Sequence, residues 1–226
     1  TQHLNNQTIC LKLIFPKKTK FQFMDLLKGN QKRHEIKFLI NSKEKYELIE
    51  KKQLKKLFPD RIVESIYFDT KDLQFFNLSE EGVTPRFKIR IRGYNNNKLN
   101  NLEIKITNNH HREKITIKNF IFDNYELHKN LKKIGIQEIV QKKIRVKYLR
   151  SYYNLGKVGR ITLDRNIEFL SPNESFHNSK KIKQNILEVK VQRDNIDKNF
   201  IEKIINLKEI RFSKYCIGIN CLRETN

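Results

Sequence analysis

The sequence predicts an α+β fold: a closed antiparallel β barrel, or tunnel, of about eight strands with flanking helices. Three observations carry that expectation. First, Arg86-Phe-Lys-Ile-Arg-Ile-Arg92 alternates strictly. In a strand, Arg86, Lys88, Arg90 and Arg92 then share one face, and Phe87, Ile89 and Ile91 the other. Second, an acid-apolar-base triplet recurs mid-strand as Glu35-Ile-Lys37, Glu103-Ile-Lys105 and Glu188-Val-Lys190. Arg112 with Lys114, and Arg160 with Asp164, extend the pattern. Third, amphipathic segments near 42–57, 124–134 and 197–208 have helical composition and can cover an apolar exterior. A sandwich would turn the apolar strand faces inward and leave all the charge outside. A barrel covered by helices can instead turn the charge into a lumen. Enclosing like charges costs on the order of several kcal/mol per uncompensated ion, so such a lumen must be wet and must receive an anion. Arginines hold phosphate oxygens in pairs and lysines act as point charges, whereas carboxylates serve a phosphate only through a bridging divalent metal.

The elements follow in order. Arg33–Ile40 reads as the first strand, and Asn41 with Glu44 as the capping box of a helix running to about Leu57, ended by Pro59. Ile62–Asp69 is the second strand, followed by a looser aromatic segment whose Phe75 and Phe76 read as exterior core. Arg86–Tyr94 is the third strand, Asn95–Asn101 its turn and Leu102–Thr107 the return. Asn108–His111 turns the chain into Arg112–Lys118, and His110 and His111 receive no ligand role. Tyr125–Lys133 is helical by composition, with Gly135 as its stop. Lys143–Tyr153, Arg160–Phe169 and Asn185–Gln192 complete the strands, and the polar Ser171–Lys183 reads as a mobile loop. Asp197 caps a helix reaching Leu207, and Ser213 caps a last short one. The phase of the sixth strand groups Tyr148 and Arg150 with Ile144 and Val146, a mixed face that a bulge near Lys147 would reconcile.

At 226 residues the chain suits one domain, placed at residues 30–226 with 1–29 as an N-terminal extension. Its 47 Lys and Arg against 25 Asp and Glu give a net charge of +22 and predict attraction to polyanions. Part of that surplus belongs to a composition crowded with Asn, Lys and Ile. Cys10, Cys216 and Cys221 share no metal-ligand spacing and leave an odd count, which argues against a disulfide framework and for a cytoplasmic location. No apolar run approaches the roughly 20 residues of a membrane span, though a membrane partner stays compatible. A nucleic-acid sheet would interleave stacking aromatics with its basic face. Here the aromatics alternate to the opposite face, so no nucleic-acid partner is expected.

Eight short motifs stand in order along the chain: Glu35-Ile-Lys-Phe-Leu-Ile, Ser65-Ile-Tyr-Phe-Asp-Thr, Lys88-Ile-Arg-Ile-Arg-Gly-Tyr, Glu103-Ile-Lys, Tyr148-Leu-Arg-Ser-Tyr, Arg160-Ile-Thr-Leu-Asp-Arg, Leu187-Glu-Val-Lys and Phe212-Ser-Lys-Tyr. From Arg33 to Gly218 the sequence resembles the VTC domain, the catalytic module of the vacuolar transporter chaperone polyphosphate polymerase, among the triphosphate tunnel metalloenzymes. The resemblance implies a tunnel that binds ATP or another nucleoside triphosphate and grows polyphosphate, or starts from pyrophosphate, with Mn²⁺ or Mg²⁺. It implies catalytic roles for Lys37, Arg90, Arg92, Lys105, Arg150, Lys190 and Lys214, and for Lys114 unless Arg112 takes its place. Lys88, Arg112, Tyr148, Arg160, Arg211 and Ser213 would hold substrate. Glu188 matches the metal-binding glutamate, with Glu35 and Glu103 as companions. Two positions depart from the pattern. Arg33 stands where the tunnel hydrolases begin an ExExK motif, which favours polymerase over hydrolase, and Arg211 stands where polymerases usually offer lysine. A metal-dependent tripolyphosphatase or nucleoside triphosphatase, and a non-catalytic polyphosphate or nucleotide-binding module, are the alternatives.

Overall fold

The computed structural model describes residues 33–108, 111–156, 159–174, 179–192 and 205–224. Its strands are β1 (Arg33–Ile40), β2 (Lys56–Asp69), β3 (Arg86–Tyr94), β4 (Asn101–Asn108), β5 (His111–Ile117), β6 (Gln141–Asn154), β7 (Gly159–Leu170), β8 (Lys180–Ile182) and β9 (Asn185–Gln192). Helix α1 (Ser42–Lys45) runs into a π-helical turn at Tyr46–Glu50. The others are α2 (Gln74–Glu81), α3 (Asn124–Lys133) and α4 (Lys214–Arg223). All strands join one antiparallel sheet in the order β1-β9-β7-β6-β2-β3-β4-β5. β8 pairs with β7 just beyond β9, so the two are one line of pairing broken at Lys183 and Gln184. The result is an α+β curled sheet of eight strand lines.

Barrel closure was expected and is not found: among the described residues β1 and β5 share no ladder, and the sheet is an open half-barrel. The reason lies on the free edge of β1. Ile210 N donates to the Lys37 carbonyl at 2.8 Å, and Phe38 bridges to Glu209. The chain entering α4 satisfies backbone groups that β5 would otherwise have paired.

The apolar strand faces point outward and are covered. Ile89, Ile91, Leu102, Ile104 and Ile106 pack under α3 through Leu127 and Leu131. Ile36, Phe38, Ile161, Leu163, Leu187 and Val189 pack with Leu48 and Ile49 of the π-helical turn. A third cluster lies on the concave side, where α4 sets Tyr215, Cys216 and Ile219 on Ile144, Val146 and Phe169. The irregularity expected near Lys147 is present as a register shift between Lys147 and Leu149, but the mixed face of β6 is answered by what covers it. Its Ile144-Val146 half is roofed by α4, while Tyr148 and Arg150 run on into the charged half. At that shift the extra residue belongs to β7, between Arg165 and Glu168, where Asn166 takes φ 51°. Gly218 lets α4 sit so close, since a Cβ there would overlap the Ile144 and Phe169 side chains.

Asn41 and Glu44 form the expected capping box, at 2.9 and 2.8 Å, but the helix does not reach Leu57. β2 has already begun at Lys56, and Pro59 lies inside it, at a register shift against β6 and before the pairing with β3 starts at Val63. A proline is tolerated there because its missing N–H faces an unpaired edge. The segment around Phe75 and Phe76 is helix α2 rather than irregular chain, and the expected loop Ser171–Lys183 contains β8. α3 and its stop at Gly135 (φ 84°) fall where expected, and Ser213 caps α4 by accepting from Cys216 N. Residues 1–29, His110 and most of Asp197–Leu207 lie outside the described residues. Among the described residues no helix is long and apolar enough to cross a membrane.

Candidate functional site

The concave face is built strand by strand from alternate residues. Where β1 meets β9, Glu35 stands opposite Lys190 and Lys37 opposite Glu188, a checkerboard of opposite charges. β7 adds Arg160 opposite Lys190 and Thr162 opposite Glu188, and β6 sets Arg150 opposite Asp164. Across β2, β3 and β4 the pairs are Ser65 with Arg92, Tyr67 with Arg90, Arg90 with Glu103 and Lys88 with Lys105. β5 sets Lys114 opposite Lys105 and Arg112 opposite Thr107. Thus Lys37, Lys88, Arg90, Arg92, Lys105, Arg112, Lys114, Tyr148, Arg150, Arg160 and Lys190 fall on one concave face, joined by Lys214 from the start of α4.

Every carboxylate on this face is held by cations. Glu103 accepts from Arg90 Nε at 2.7 Å and from Lys114, with Arg92 at 3.7 Å. Asp164 takes a bidentate grip from Arg150, at 2.6 and 2.7 Å, and a further bond from Lys214. Lys190 donates to both Glu35 and Glu188 at 2.9 Å. Burial works against ionising these acids, but the cations override it. Glu35 falls to about 2 through Lys105 and Lys190, and Glu103, Asp164 and Glu188 also lie below the usual carboxylate range.

The cations are less well provided for. Lys37 donates to the Phe212 carbonyl at 2.7 Å and Lys88 to Ser213 Oγ at 2.9 Å, both neutral acceptors. Arg92, 5% exposed, donates to Ser65 Oγ and Tyr148 OH at 3.1 Å each. Burial pushes Lys37, Lys88 and Lys105 below the ordinary lysine value, Lys105 to about 7. Tyr67 is pulled down to about 8 despite its burial, by Arg90 and Arg92. Its hydroxyl accepts from Arg90 Nη1 at 2.8 Å. With only Glu35, Glu103, Asp164 and Glu188 set among so many cations, the described face is short of negative charge.

Two expected site residues sit differently from the rest. Arg211 donates to the Ser79 carbonyl at the end of α2, close to Arg86. Glu103 has each oxygen committed to a cation and none turned to a metal. Asp164 and Tyr67 were given no site role from sequence. Both lie in quoted motifs, and counting by twos from Arg160 or Ser65 reaches them.

Among the described residues there is no group of three His, Cys, Asp or Glu able to cage a metal. Glu35 and Glu188 nonetheless converge, since both bind one ammonium. Two carboxylates suit Mg²⁺ or Mn²⁺, which fill their remaining positions with phosphate oxygens and water.

The fold and the site together define the class: a helix-clad, curled antiparallel sheet with a basic, carboxylate-dotted concave face. Residues 32–223 match the VTC domain family, and the chain belongs to it. None of the curated proteins matches the chain significantly. Among solved structures, the PH1819 protein of Pyrococcus horikoshii OT3 aligns at 18% identity and a TM-score of 0.53, over 85% of this chain and 99% of its own. The PH1012 protein of the same organism aligns at 19% and 0.51, over 83% and 99%. A Hippeastrum protein described as having a dominant triphosphatase activity aligns at 15% and 0.49, over 83% and 95%. At these identities the first two likenesses speak for the fold alone.

Proposed function

We propose that this chain is a polyphosphate polymerase-like phosphotransferase, moving the terminal phosphate of a nucleoside triphosphate onto a polyphosphate chain along the concave face. The observation that carries this reading is the deficit of negative charge there, with Lys37, Lys88 and Lys105 driven toward neutrality by burial. A run of phosphates supplies that charge. Arg90, Arg92, Lys37 and Lys190 grip the transferring phosphate and its neighbour, while Lys105, Lys114, Arg150 and Lys214 hold the rest. Lys88, Arg112, Tyr148, Arg160 and Ser213 extend the path, and Arg211, bonded to the Ser79 carbonyl, lies off it.

In the transfer, the bond from the terminal phosphorus to its bridging oxygen breaks and releases nucleoside diphosphate. A terminal oxygen of the acceptor chain forms the new bond. That acceptor is already anionic, so no base is required. This agrees with a face whose carboxylates are all occupied by cations. Transfer of this kind asks mainly for positioning and charge neutralisation. Glu188 and Glu35 would hold a divalent ion, which would supply charge neutralisation for the phosphates, and Lys190 would then be turned to the phosphates.

The test is incubation with ATP and Mn²⁺ or Mg²⁺, with products resolved on a gel. Long polyphosphate supports the polymerase, free phosphate alone supports a triphosphatase, and binding without turnover leaves a polyphosphate or nucleotide-binding module.

A further inference from the structure

One mouth of the curled sheet carries a group that phosphate transfer alone does not use. It lies where β2 begins, β6 ends and β7 begins. The Phe58 and Tyr152 rings meet edge to face at 5.7 Å and 87°. The Arg61 guanidinium lies 5.1 Å from the Phe58 ring and 5.6 Å from the Tyr152 ring. Arg160 lies 5.8 Å from Tyr152 on the other strand. A backbone irregularity makes this grouping. Strict alternation from Arg61 would send Phe58 to the opposite face. Phe58 pairs with Tyr152 and Arg61 with Arg150, so β2 spends one more residue than β6 between those pairs and the parity is reversed. Despite its contacts with Tyr152 and Arg61, Phe58 is left 43% exposed, an apolar cost.

The charges at this mouth are also incomplete. Arg61 faces Arg150 across the β2–β6 pair, and Arg160 faces Lys190 across β7–β9. Like charges placed directly opposite one another are destabilising. Arg160 Nε is buried with no hydrogen-bond partner. A ligand that answers all of this has a flat aromatic end and an anionic tail. The far end of the concave face is filled by α4 on Ile144 and Phe169.

We infer that this mouth binds the nucleoside end of the triphosphate. The base stacks on Phe58 beside Tyr152 and Arg61, Arg61 and Arg160 take the first phosphate, and the others run inward toward Lys190 and Arg150. This rests on the phosphotransferase reading and adds the direction of entry and the groups that recognise the base. Stacking uses a face that every base possesses, so purine and pyrimidine triphosphates differ little.

The test measures Kd by titration calorimetry for ATP, UTP and tripolyphosphate on the full chain and on two variants. Phe58→Ala weakens ATP and UTP by roughly 5- to 100-fold, the loss of one base-aromatic stack, and leaves tripolyphosphate within about twofold. Phe58→Trp restores or tightens both nucleotides. If Phe58→Ala leaves all three ligands unchanged, or weakens all three alike, the nucleoside site is wrong while phosphate binding stands. If the unmodified chain binds no tripolyphosphate, the phosphotransferase reading fails and the nucleoside site fails with it.

Discussion

Lys105 Nζ lies 3.8 Å from Glu35 Oε2, although β4 and β1 stand near opposite ends of the strand order. The contact crosses the seam that no ladder closes. Charge rather than backbone pairing therefore draws the two sides of the sheet together there. It also leaves Lys105 poorly served, because burial is joined by Arg90 and Lys190 in depressing its ammonium form, to about 7.

A pH dependence follows. The folded value of Lys105 lies below the unfolded one of about 10.4. Its charged form therefore burdens the empty fold below pH 7, and the burden lifts as pH rises toward 10. An entering anion reverses the preference and recharges the amine. Tripolyphosphate should bind more tightly as pH falls from 9 to 7, with proton uptake measurable by calorimetry in buffers of different ionisation enthalpy. Lys105→Met should reduce that uptake by the share this amine supplies. An unchanged proton count in the variant would remove Lys105 from the binding path.

Glu103 is the keystone of the opposite wall, 4% exposed at its side chain and holding Arg90, Arg92 and Lys114. Glu103→Gln keeps the shape and leaves three cations without their counter-charge. The empty protein should lose about 3–5 kcal/mol, a fall in Tm of roughly 10 °C. Saturating tripolyphosphate should recover much of the loss. Equal losses with and without the ligand would mean the anion does not approach this wall.

How much of this was legible in the sequence depended on periodicity. Arg86–Tyr94 and the three acid-apolar-base triplets obey period two, so their shared face could be counted off without coordinates. Asp164 obeys it too and counts with Arg160 in the pattern, but nothing local says that Arg150 and Lys214 will hold it. Closure was misjudged because edge pairing is a long-range matter. Nothing local in Phe38 says that Glu209 will take its edge. The Phe58 mouth was hidden by Pro59, which reads as a helix stop when its surroundings are unknown and as a bulge once β6 lies beside it.

Asp69 makes a structural prediction independent of ligand. Fully buried, it accepts from Thr70 N at 2.7 Å, Phe75 N at 2.9 Å and Phe76 N at 2.8 Å, and from the Tyr215 hydroxyl. It thus caps α2, whose own N-cap residue Leu73 has no side-chain bond to give, and ties α2 to α4. Asp69→Ala should cost about 3 kcal/mol in chemical unfolding. Hydrogen exchange should quicken first at Phe75 and Phe76. Protection there equal to the parent's would show that α2 is capped by other means.

Glu188→Gln tests the metal. The change removes one carboxylate oxygen charge without altering shape, and Glu35 still holds Lys190. Mn²⁺ bound in the presence of tripolyphosphate, followed by electron paramagnetic resonance, should weaken markedly, and metal-dependent turnover should nearly vanish. Tripolyphosphate binding in chelator should persist. Turnover that survives with the same metal dependence moves the ion away from Glu188.

The last prediction separates a ligand-awaiting face from a merely basic surface. Removing Arg90 is a poor choice, since that change takes a hydrogen-bonded counter-charge from the buried Glu103. Lys88 is better, because it is half-buried, depressed by desolvation, and donates to the neutral Ser213 Oγ. Replacing a desolvated cation that has no counter-charge by an apolar side chain of similar length removes its desolvation penalty. Lys88→Met should therefore raise the Tm of the empty protein by several degrees, at roughly 2–4 °C per kcal/mol for a chain of this size. For the parent, tripolyphosphate at about a hundredfold excess over Kd should stabilise by about 2.7 kcal/mol. The variant should respond less at the same concentration. Sulfate at equal ionic strength, and single-stranded RNA lacking a 5′ triphosphate, should do little to either protein. If RNA stabilised the parent as strongly as tripolyphosphate, and Lys88→Met changed neither the empty Tm nor the shift, the basic face would be an open docking surface and not a phosphate path.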